Sequence, residues 1–292
     1  MGARHHQGGR PMNGREFMKS TFGPAAMLKR LILILACALT LLPLVWILSA
    51  SFSERATLFA APLWPESPTF ANYAKLLGDT DFLRWVLNSV IVCGGAALVS
   101  LMLTTGMAYA FSRLRFRGRR MGLLALFLLQ MIPSTIMVMA MYYLLLGLGL
   151  LNSFSGLILA YAGLNIPFSA WLLKGFFDSI PTELEESAFI DGATRFQAAV
   201  RIILPLALPM MAAIFLFNVI AFYNDYIIAS VVLTGSENYT VGLGLRFFQS
   251  ANGADWALFS AGAIAGALPL VILFYSMQRF LVGGLTAGAV KG

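Results

Sequence analysis

A short charged stretch, residues 183–191, stands out in a chain that is 59% hydrophobic and only 11% charged. It holds three glutamates and one aspartate, and Gly192 follows it directly. Pro181 suits the first turn of a helix, and Thr182 has capping-box spacing to Glu185. Acidic side chains near a helix start are favourable because that end carries a partial positive charge. The pattern predicts a short acidic helix that ends at Gly192, exposed between apolar segments where another protein can grip it.

A second helix is predicted to begin directly after this turn. Thr194 and Gln197 have the spacing of another capping box, and Pro205 is expected to end the unit. Apolar residues recur at the i, i+3, i+4, i+7 spacing of one helix face, namely Phe196, Ala199, Val200 and Ile203. The sequence therefore predicts two short helices joined by a tight turn at Gly192.

The whole unit resembles the EAA loop of ABC importer permeases. That pattern reads Glu-Ala-Ala, three residues, Gly, nine residues, Ile, one residue, Leu-Pro. The residues at these spacings are Glu186, Ser187, Ala188, Gly192, Ile202, Leu204 and Pro205. Ser187 departs from the pattern, but it is also small. The resemblance implies that the loop couples to ATPase subunits, and we include Glu185 and Asp191 in the coupling set. The alternative is an ordinary amphipathic loop helix.

Enzyme and cofactor motifs are not found in the sequence. It has no Gly-x-x-x-x-Gly-Lys-Ser/Thr, His-Glu-x-x-His, Cys-x-x-Cys or Gly-x-Ser-x-Gly. The two histidines, His5 and His6, are adjacent in a polar tail, and Cys37 and Cys93 lie inside apolar runs. We therefore expect a transport subunit without catalytic, metal or cofactor sites, whose ATP and Mg are bound by partner subunits.

The composition indicates that the elements which position this loop lie within a membrane. Soluble domains carry about 25% charged residues, far more than this 292-residue chain, whose mean hydropathy is +0.79. Six apolar segments are each long enough for a ~30 Å hydrocarbon core. They span residues 31–50, 86–111, 121–146, 154–173, 206–233 and 257–278. The expected fold class is an all-α membrane protein with six transmembrane helices and a cytoplasmic two-helix coupling loop.

The basic residues predict the orientation of these spans. Sixteen of the 20 lysines and arginines fall on the side that holds the loop and both termini. By the positive-inside rule this side is cytoplasmic, and the resemblance to ABC importer permeases implies the bacterial inner membrane. The predicted domains are a flexible cytoplasmic tail at 1–29, a permease domain at 30–280 with its coupling loop at about 179–204, and a cytoplasmic tail at 281–292.

The fifth span contains a second group of polar residues. A carboxylate at Asp225 would cost about 2.5–3.5 kcal/mol at a helix centre, so we expect a polar partner, a water-filled cavity or an interfacial position. Its surroundings resemble the Trp-Asn-Asp-Phe segment of carbohydrate-importer permeases, with tyrosines replacing both aromatic residues. The residues assigned to the translocation path or gate are Asn165, Asn218, Tyr223, Asn224 and Asp225. The alternatives are polar contacts between helices and a structural hinge.

The C-terminal segment resembles the end of maltose-type permeases. Composition alone predicts a flexible tail there, whereas the resemblance implies that Thr286, Gly288 and Lys291 reach the interface between ATPase subunits. On the outer side, Phe70 and Tyr73 resemble a Phe-x-x-Tyr segment of sugar-type permeases, read as either a short surface helix or a packed loop.

From about residue 30 to its end, the chain resembles carbohydrate-class ABC importer permeases. The family implies a second permease, two ATP-binding subunits, an extracytoplasmic solute-binding protein and membrane lipid as partners, and nucleic acid is not expected. The expected cargo is an oligosaccharide. The acidic outer loops favour a neutral sugar, but acidic sugars stay open. The alternatives are a permease for a non-sugar solute and an ion-coupled secondary carrier.

Overall fold

A computed structural model describes residues 24–54, 64, 65, 67–249 and 254–289, with the side chains of 25, 26, 134 and 281–289 excepted. The predictions for residues 1–23 and for Lys291 lie outside the described residues. The helices are α1 (Pro24–Ser51), α2 (Ala71–Gly78), α3 (Phe82–Arg113), α4 (Arg119–Gln130), α5 (Ser134–Gly147), α6 (Phe154–Ser179), α7 (Glu183–Ile190), α8 (Arg195–Ala198), α9 (Leu204–Asn224), α10 (Ile227–Val232), α11 (Val241–Phe247) and α12 (Trp256–Ala289). The described residues contain no strand, so the predicted all-α class is confirmed.

Five helical segments are long and apolar enough to cross a membrane. They are Met27–Ser51, Phe82–Arg113, Phe154–Ser179, Arg195–Asn224 and Trp256–Phe280. The predicted third span is instead a pair, α4 and α5, which meet at an angle of 106°. Pro133 stands at this bend with extended backbone (ψ 128°), and it has no N–H to continue the helix. The described residues thus contain five candidate spans, or six if the bent pair makes one.

The centre of the bundle is the pair α3 and α6, against which α9 packs. Small residues, Ala96, Ala97 and Ala160, are almost fully buried where these helices meet. Small side chains let helix backbones approach closely in a membrane, where lipid supplies no hydrophobic drive for association. A second buried cluster, which includes Phe177 and Ile203, fills the end of the bundle beneath the two-helix loop.

Several predicted boundaries differ from the structure. α1 begins at Pro24, inside the predicted N-terminal tail, and α12 continues through Ala289 where a flexible tail was predicted from residue 281. The predicted fifth span, 206–233, is broken between α9 and α10. On the opposite side, residues 71–78 form the short helix α2 rather than a packed loop. Tyr73 of α2 donates a hydrogen bond to the Ser51 hydroxyl at 2.9 Å.

Candidate functional site

The turn that ends α7 has the geometry predicted for Gly192. Its φ is +84°, a left-handed conformation that glycine adopts without strain. The Gly192 N–H donates to the Phe189 carbonyl at 3.1 Å, and the Ala193 N–H donates to the Ala188 carbonyl at 2.9 Å. These two bonds form a Schellman motif, which satisfies carbonyls that the end of the helix leaves free.

The second predicted capping box is also confirmed. The Thr194 hydroxyl accepts from the Gln197 N–H at 3.2 Å, and the Gln197 side chain accepts from the Thr194 N–H at 2.8 Å. The helix that follows does not end at Pro205, however. α8 continues through one wide π-turn, Ala199–Ile203, into α9. Because the wide turn already interrupts the regular hydrogen-bond pattern, the missing N–H of Pro205 is accommodated in the first turn of α9.

The wide turn also changes which residues share a face. Phe196 and Ile203 were predicted on one apolar face, but Phe196 is 77% exposed whereas Ile203 is fully buried. One extra residue in a turn rotates the side chains that follow by about 100°. The residues of the predicted face therefore point in different directions: Ile203 packs in the core, and Phe196 is exposed.

Glu185 does not cap α7 and does not face outward, contrary to both predictions for it. Its side chain is 5% exposed, and its Oε2 lies 2.5 Å from Nε of Arg113, whose side chain is 9% exposed. The Tyr109 hydroxyl donates to the other carboxylate oxygen at 3.0 Å. A buried carboxylate needs a charged partner. α3 supplies that partner, Arg113, whereas Thr182 would offer only an exposed backbone N–H. Glu185 is therefore not available as a direct contact for a partner protein.

Further polar contacts attach the start of the loop to α3. Arg113 donates from Nη2 to the Ile180 carbonyl at 2.8 Å. The Ser112 hydroxyl donates to Asp178 at 2.7 Å, and Lys174 pairs with the same carboxylate at 2.5 Å. The end of α6 and the start of the loop are thus fixed to α3, in addition to the contact that Glu185 of α7 makes with Arg113.

The rest of the predicted coupling set lies toward the outside of the loop. Glu186, Ser187, Asp191 and Pro205 are exposed, while Ala188 and Leu204 are half-buried. Ile190 is 87% exposed, although it is a large apolar residue. The backbone of Thr286 and Gly288 lies in the last turns of α12. The surface formed by Glu186, Ser187, Ile190 and Phe196 is called the docking face below.

Asn218, assigned to the translocation path or gate, forms a buried junction between three helices. It is 2% exposed. Its side-chain oxygen accepts from Asn165 at 3.2 Å and from Ser169 at 3.3 Å, and its amide donates to Ser100 at 3.3 Å. The helices supply enough polar groups to satisfy the amide, so it holds α3, α6 and α9 together. The structure thus places both Asn165 and Asn218 in helix contacts.

Asp225 occupies the break between α9 and α10. Its backbone is extended (ψ 132°), and its Oδ1 accepts from the Ile228 N–H at 3.0 Å and the Ala229 N–H at 3.3 Å. The Tyr161 hydroxyl donates to the same oxygen at 3.0 Å. The carboxylate thus satisfies free N–H groups at the positive end of α10, which explains how it is tolerated in an apolar region.

Tyr223 and Asn224 border an open cleft with a volume of about 460 Å³. The Tyr223 hydroxyl is held by the Gly266 carbonyl at 2.8 Å, whereas Asn224 is exposed. Across the cleft, the Arg246 guanidinium lies 5.6 Å from the ring centre of Tyr226. It also donates to the side chain of Gln249 at 2.7 Å. The cleft combines an aromatic face, amides and a cation, which are groups able to bind a polyhydroxylated solute.

The sequence-based reading missed Arg113, Tyr109 and Arg246 as site residues. Arg113 was counted only among the basic residues that indicate the orientation, and Arg246 was placed in an outer loop that could meet a soluble partner. No signal in the sequence identified Arg113 or Tyr109, because both contact Glu185, which is distant from them along the chain.

Residues 101–286 match the family described as "Binding-protein-dependent transport system inner membrane component". The chain is 37% identical over 266 residues to the galactooligosaccharides transport system permease protein GanQ of Bacillus subtilis, covering 90% of this chain and 94% of that protein. It is 34% identical over 281 residues to the maltose/maltodextrin transport system permease protein MalG of Escherichia coli, with coverage of 90% and 94%.

Solved structures share the fold. The crystal structure of a bacterial ABC transporter involved in the import of the acidic polysaccharide alginate contains a chain that matches with a TM-score of 0.74 at 24% identity, covering 92% of this chain and 99% of that one. An inward-facing structure of the MetNI methionine ABC transporter matches with a TM-score of 0.58 at 15% identity, covering 69% and 95%.

Proposed function

The chain belongs to the family of binding-protein-dependent transport system inner membrane components, and from this premise we propose how its loop and cleft serve import. The protein is a multi-pass permease subunit of an ATP-driven ABC importer of the sugar class. It is not itself an enzyme, because ATP is hydrolysed by partner ATPase subunits.

The two-helix loop, residues 179–204, is the element that an ATPase subunit grips. One observation carries this proposal: α7 is fixed to α3 through the buried Glu185–Arg113 pair, while Ile190 and Phe196 stay 87% and 77% exposed. Large apolar side chains exposed on a rigid, charged protrusion are typical of a surface that is covered by a partner. Glu186 supplies the polar contact of this docking face, and Gly192 gives it its shape.

Because the loop is fixed to α3 and continuous with α9, it transmits movement into the bundle. Closure of the ATPase subunits around ATP displaces the loop, and the attached helices rock between inward-open and outward-open states. ATP shifts this equilibrium only to the extent that it binds the two states with different affinity. The buried ion pair makes α3 part of the moving body.

The proposed complex contains this chain, a second permease, two ATPase subunits and an extracytoplasmic solute-binding protein. Both termini and the two-helix loop face the cytoplasm, as the distribution of lysine and arginine indicates. The chain needs no cofactor of its own, since ATP and Mg are held by the ATPase subunits. As the resemblance of the C-terminal segment implies, Thr286, Gly288 and Lys291 serve coupling at the interface between those subunits.

The proposed cargo is an oligosaccharide that a binding protein delivers to the outer end of the bundle. The names of relatives such as GanQ and MalG support this cargo class. The cleft beside Tyr223 and Asn224 supports it chemically, because tyrosine faces and amides suit sugar rings and hydroxyls. Arg246 at the cleft allows an acidic sugar as well as a neutral one.

A charge reversal on the docking face tests the loop assignment. The chain is co-expressed with its partner subunits, and binding-protein-stimulated ATP hydrolysis and sugar uptake are measured in proteoliposomes. We expect Glu186→Lys to insert normally but to lower both activities at least about tenfold, the fold-change that a loss of about 1.4 kcal/mol produces. Glu183→Lys, in the same helix turn and also exposed, is the matched control and should retain activity. Equal activity of the two variants would refute the assignment.

A further inference from the structure

The turn between α3 and α4 carries the densest positive charge of the chain. Residues 113–120 hold five arginines within eight positions: Arg113, Arg115, Arg117, Arg119 and Arg120. The chain itself neutralises little of this charge. Arg113 pairs with Glu185, and Arg119 donates to the Ser112 carbonyl at 3.3 Å.

The other arginines, Arg115, Arg117 and Arg120, are exposed and form no ion pair within the part of the chain that the structure describes. Arg119 and Arg120 also stand in the first turn of α4, which holds no acidic residue. The start of a helix carries a partial positive charge, so cations there are unfavourable unless an anion lies nearby. This turn therefore has a surplus of positive charge that an external anion would relieve.

A cavity of about 550 Å³ opens beside two of these arginines, Arg119 and Arg120. The apolar side chains of Phe116, Met121 and Leu123 also line it. Guanidinium groups bind phosphate through paired hydrogen bonds. A cavity lined by both guanidinium groups and apolar side chains matches a molecule that has a phosphate head and a hydrocarbon tail.

The position of the turn identifies the source of that phosphate. α3 is an apolar span that ends at Arg113, and the next apolar segment begins at Arg119. Phe127 and Leu128, farther along α4, are 51% and 52% exposed, which is typical of side chains that contact lipid. The arginines therefore lie at the level where the polar headgroups of the bilayer meet its hydrocarbon core.

We propose that the α3–α4 turn binds the headgroup phosphate of an anionic phospholipid, with Arg120, which lines the cavity, and the exposed Arg115 and Arg117 of the same turn as its principal ligands. Basic pockets beside membrane-spanning helices are suited to such headgroups. Only the choice of leaflet rests on the orientation proposed above; the binding itself is independent of ATPase docking and of the cargo.

The test measures lipid retention on the purified full-length protein by native mass spectrometry, after reconstitution with equal amounts of phosphatidylglycerol and phosphatidylcholine. The variant is Arg115→Gln/Arg117→Gln/Arg120→Gln. The control, Arg84→Gln/Arg195→Gln/Arg201→Gln, removes three exposed arginines elsewhere. Each arginine near an anionic surface changes affinity about fivefold. We therefore expect the ratio of retained phosphatidylglycerol to retained phosphatidylcholine to fall at least about tenfold in the variant and to stay unchanged in the control.

Three results would overturn the proposal. The variant and the control would lose phosphatidylglycerol equally if only overall charge mattered. The variant would retain the lipid if the arginines served solely as topology signals. Inorganic phosphate at millimolar concentration would displace the lipid completely if the site recognised free phosphate rather than a membrane lipid. If the triple variant does not fold, Arg117→Gln and Arg120→Gln are measured singly, each against Arg84→Gln.

Discussion

Arg113 and Glu185 form a buried ion pair in which Nε and Oε2 are 2.5 Å apart, and it joins the end of α3 to the two-helix loop. Its neighbour Glu186 points the other way and is exposed. Two adjacent glutamates thus have different roles, one holding the loop to the bundle and the other, as we propose, meeting the ATPase.

Replacement of Arg113 alone should strongly destabilise the protein. Arg113→Met leaves the Glu185 carboxylate buried without a cation, which costs about 3–5 kcal/mol. Arg113→Met/Glu185→Met removes both charges and should recover most of the loss. Thermal unfolding of the purified protein in detergent measures both effects. Lys174→Met is the control, because its partner Asp178 is 41% exposed and such pairs contribute about 1 kcal/mol or less. If the double variant lost as much stability as Arg113→Met and Glu185→Met lose in total when measured separately, this account would be contradicted.

Gly192→Ala should weaken the loop by straining its turn. At a φ of +84°, an alanine meets a backbone strain of about 1–2 kcal/mol, although space for its methyl group is available. Gly175→Ala is the matched control, since that glycine lies inside α6 with open space and no left-handed backbone. The melting temperature and the sugar-stimulated ATP hydrolysis should fall for Gly192→Ala and stay unchanged or rise slightly for Gly175→Ala. The same response from both variants would show that the turn geometry is unimportant.

Asn218→Leu should reduce stability rather than alter sugar affinity. The substitution leaves Asn165, Ser169 and Ser100 without their partner inside the bundle, and each buried unsatisfied group costs about 1–3 kcal/mol. Asn224→Leu changes an exposed residue that bonds only within its own helix, so its stability should change by about 0.5 kcal/mol or less. Thermal unfolding compares the two variants. If Asn218→Leu is as stable as the unmodified protein but takes up sugar with a higher KM, the buried junction is not its main role.

Arg246→Gln should change transport without changing the stability of the bundle. The guanidinium over Tyr226 is exposed, and a contact of this kind contributes about 0.5–1 kcal/mol, or about two- to fivefold in affinity. We expect the KM for the sugar-loaded binding protein, measured by uptake into proteoliposomes, to change by that factor while basal ATP hydrolysis stays constant. Arg84→Gln, an exposed arginine at the start of α3, serves as the control. An unchanged KM for Arg246→Gln would place the cleft outside the path of the sugar.

Two features that depend on nearby residues were predicted correctly from the sequence. The Schellman turn at Gly192 and the Thr194–Gln197 capping box both form from groups a few residues apart, so the local sequence decides them. At Asp225 the prediction was a continuous span, 206–233, with a structural hinge only as an alternative. A continuous apolar span and a span interrupted for a capped short helix have similar hydropathy, and only the position of Tyr161 and the free N–H groups of α10 distinguishes them.

By itself, the sequence determined the membrane class, the family and the place of the two-helix loop, because these follow from composition and from residue spacing along one segment. The tertiary structure alone decided which glutamate is buried, that Asn218 joins helices, and that Phe196 stays exposed while Ile203 enters the core. Each of these outcomes depends on which distant side chain lies opposite, since a buried polar group must find its partner through space. The spacing of residues along the chain does not predict that Arg113 pairs with Glu185 or that Ser100 bonds to Asn218.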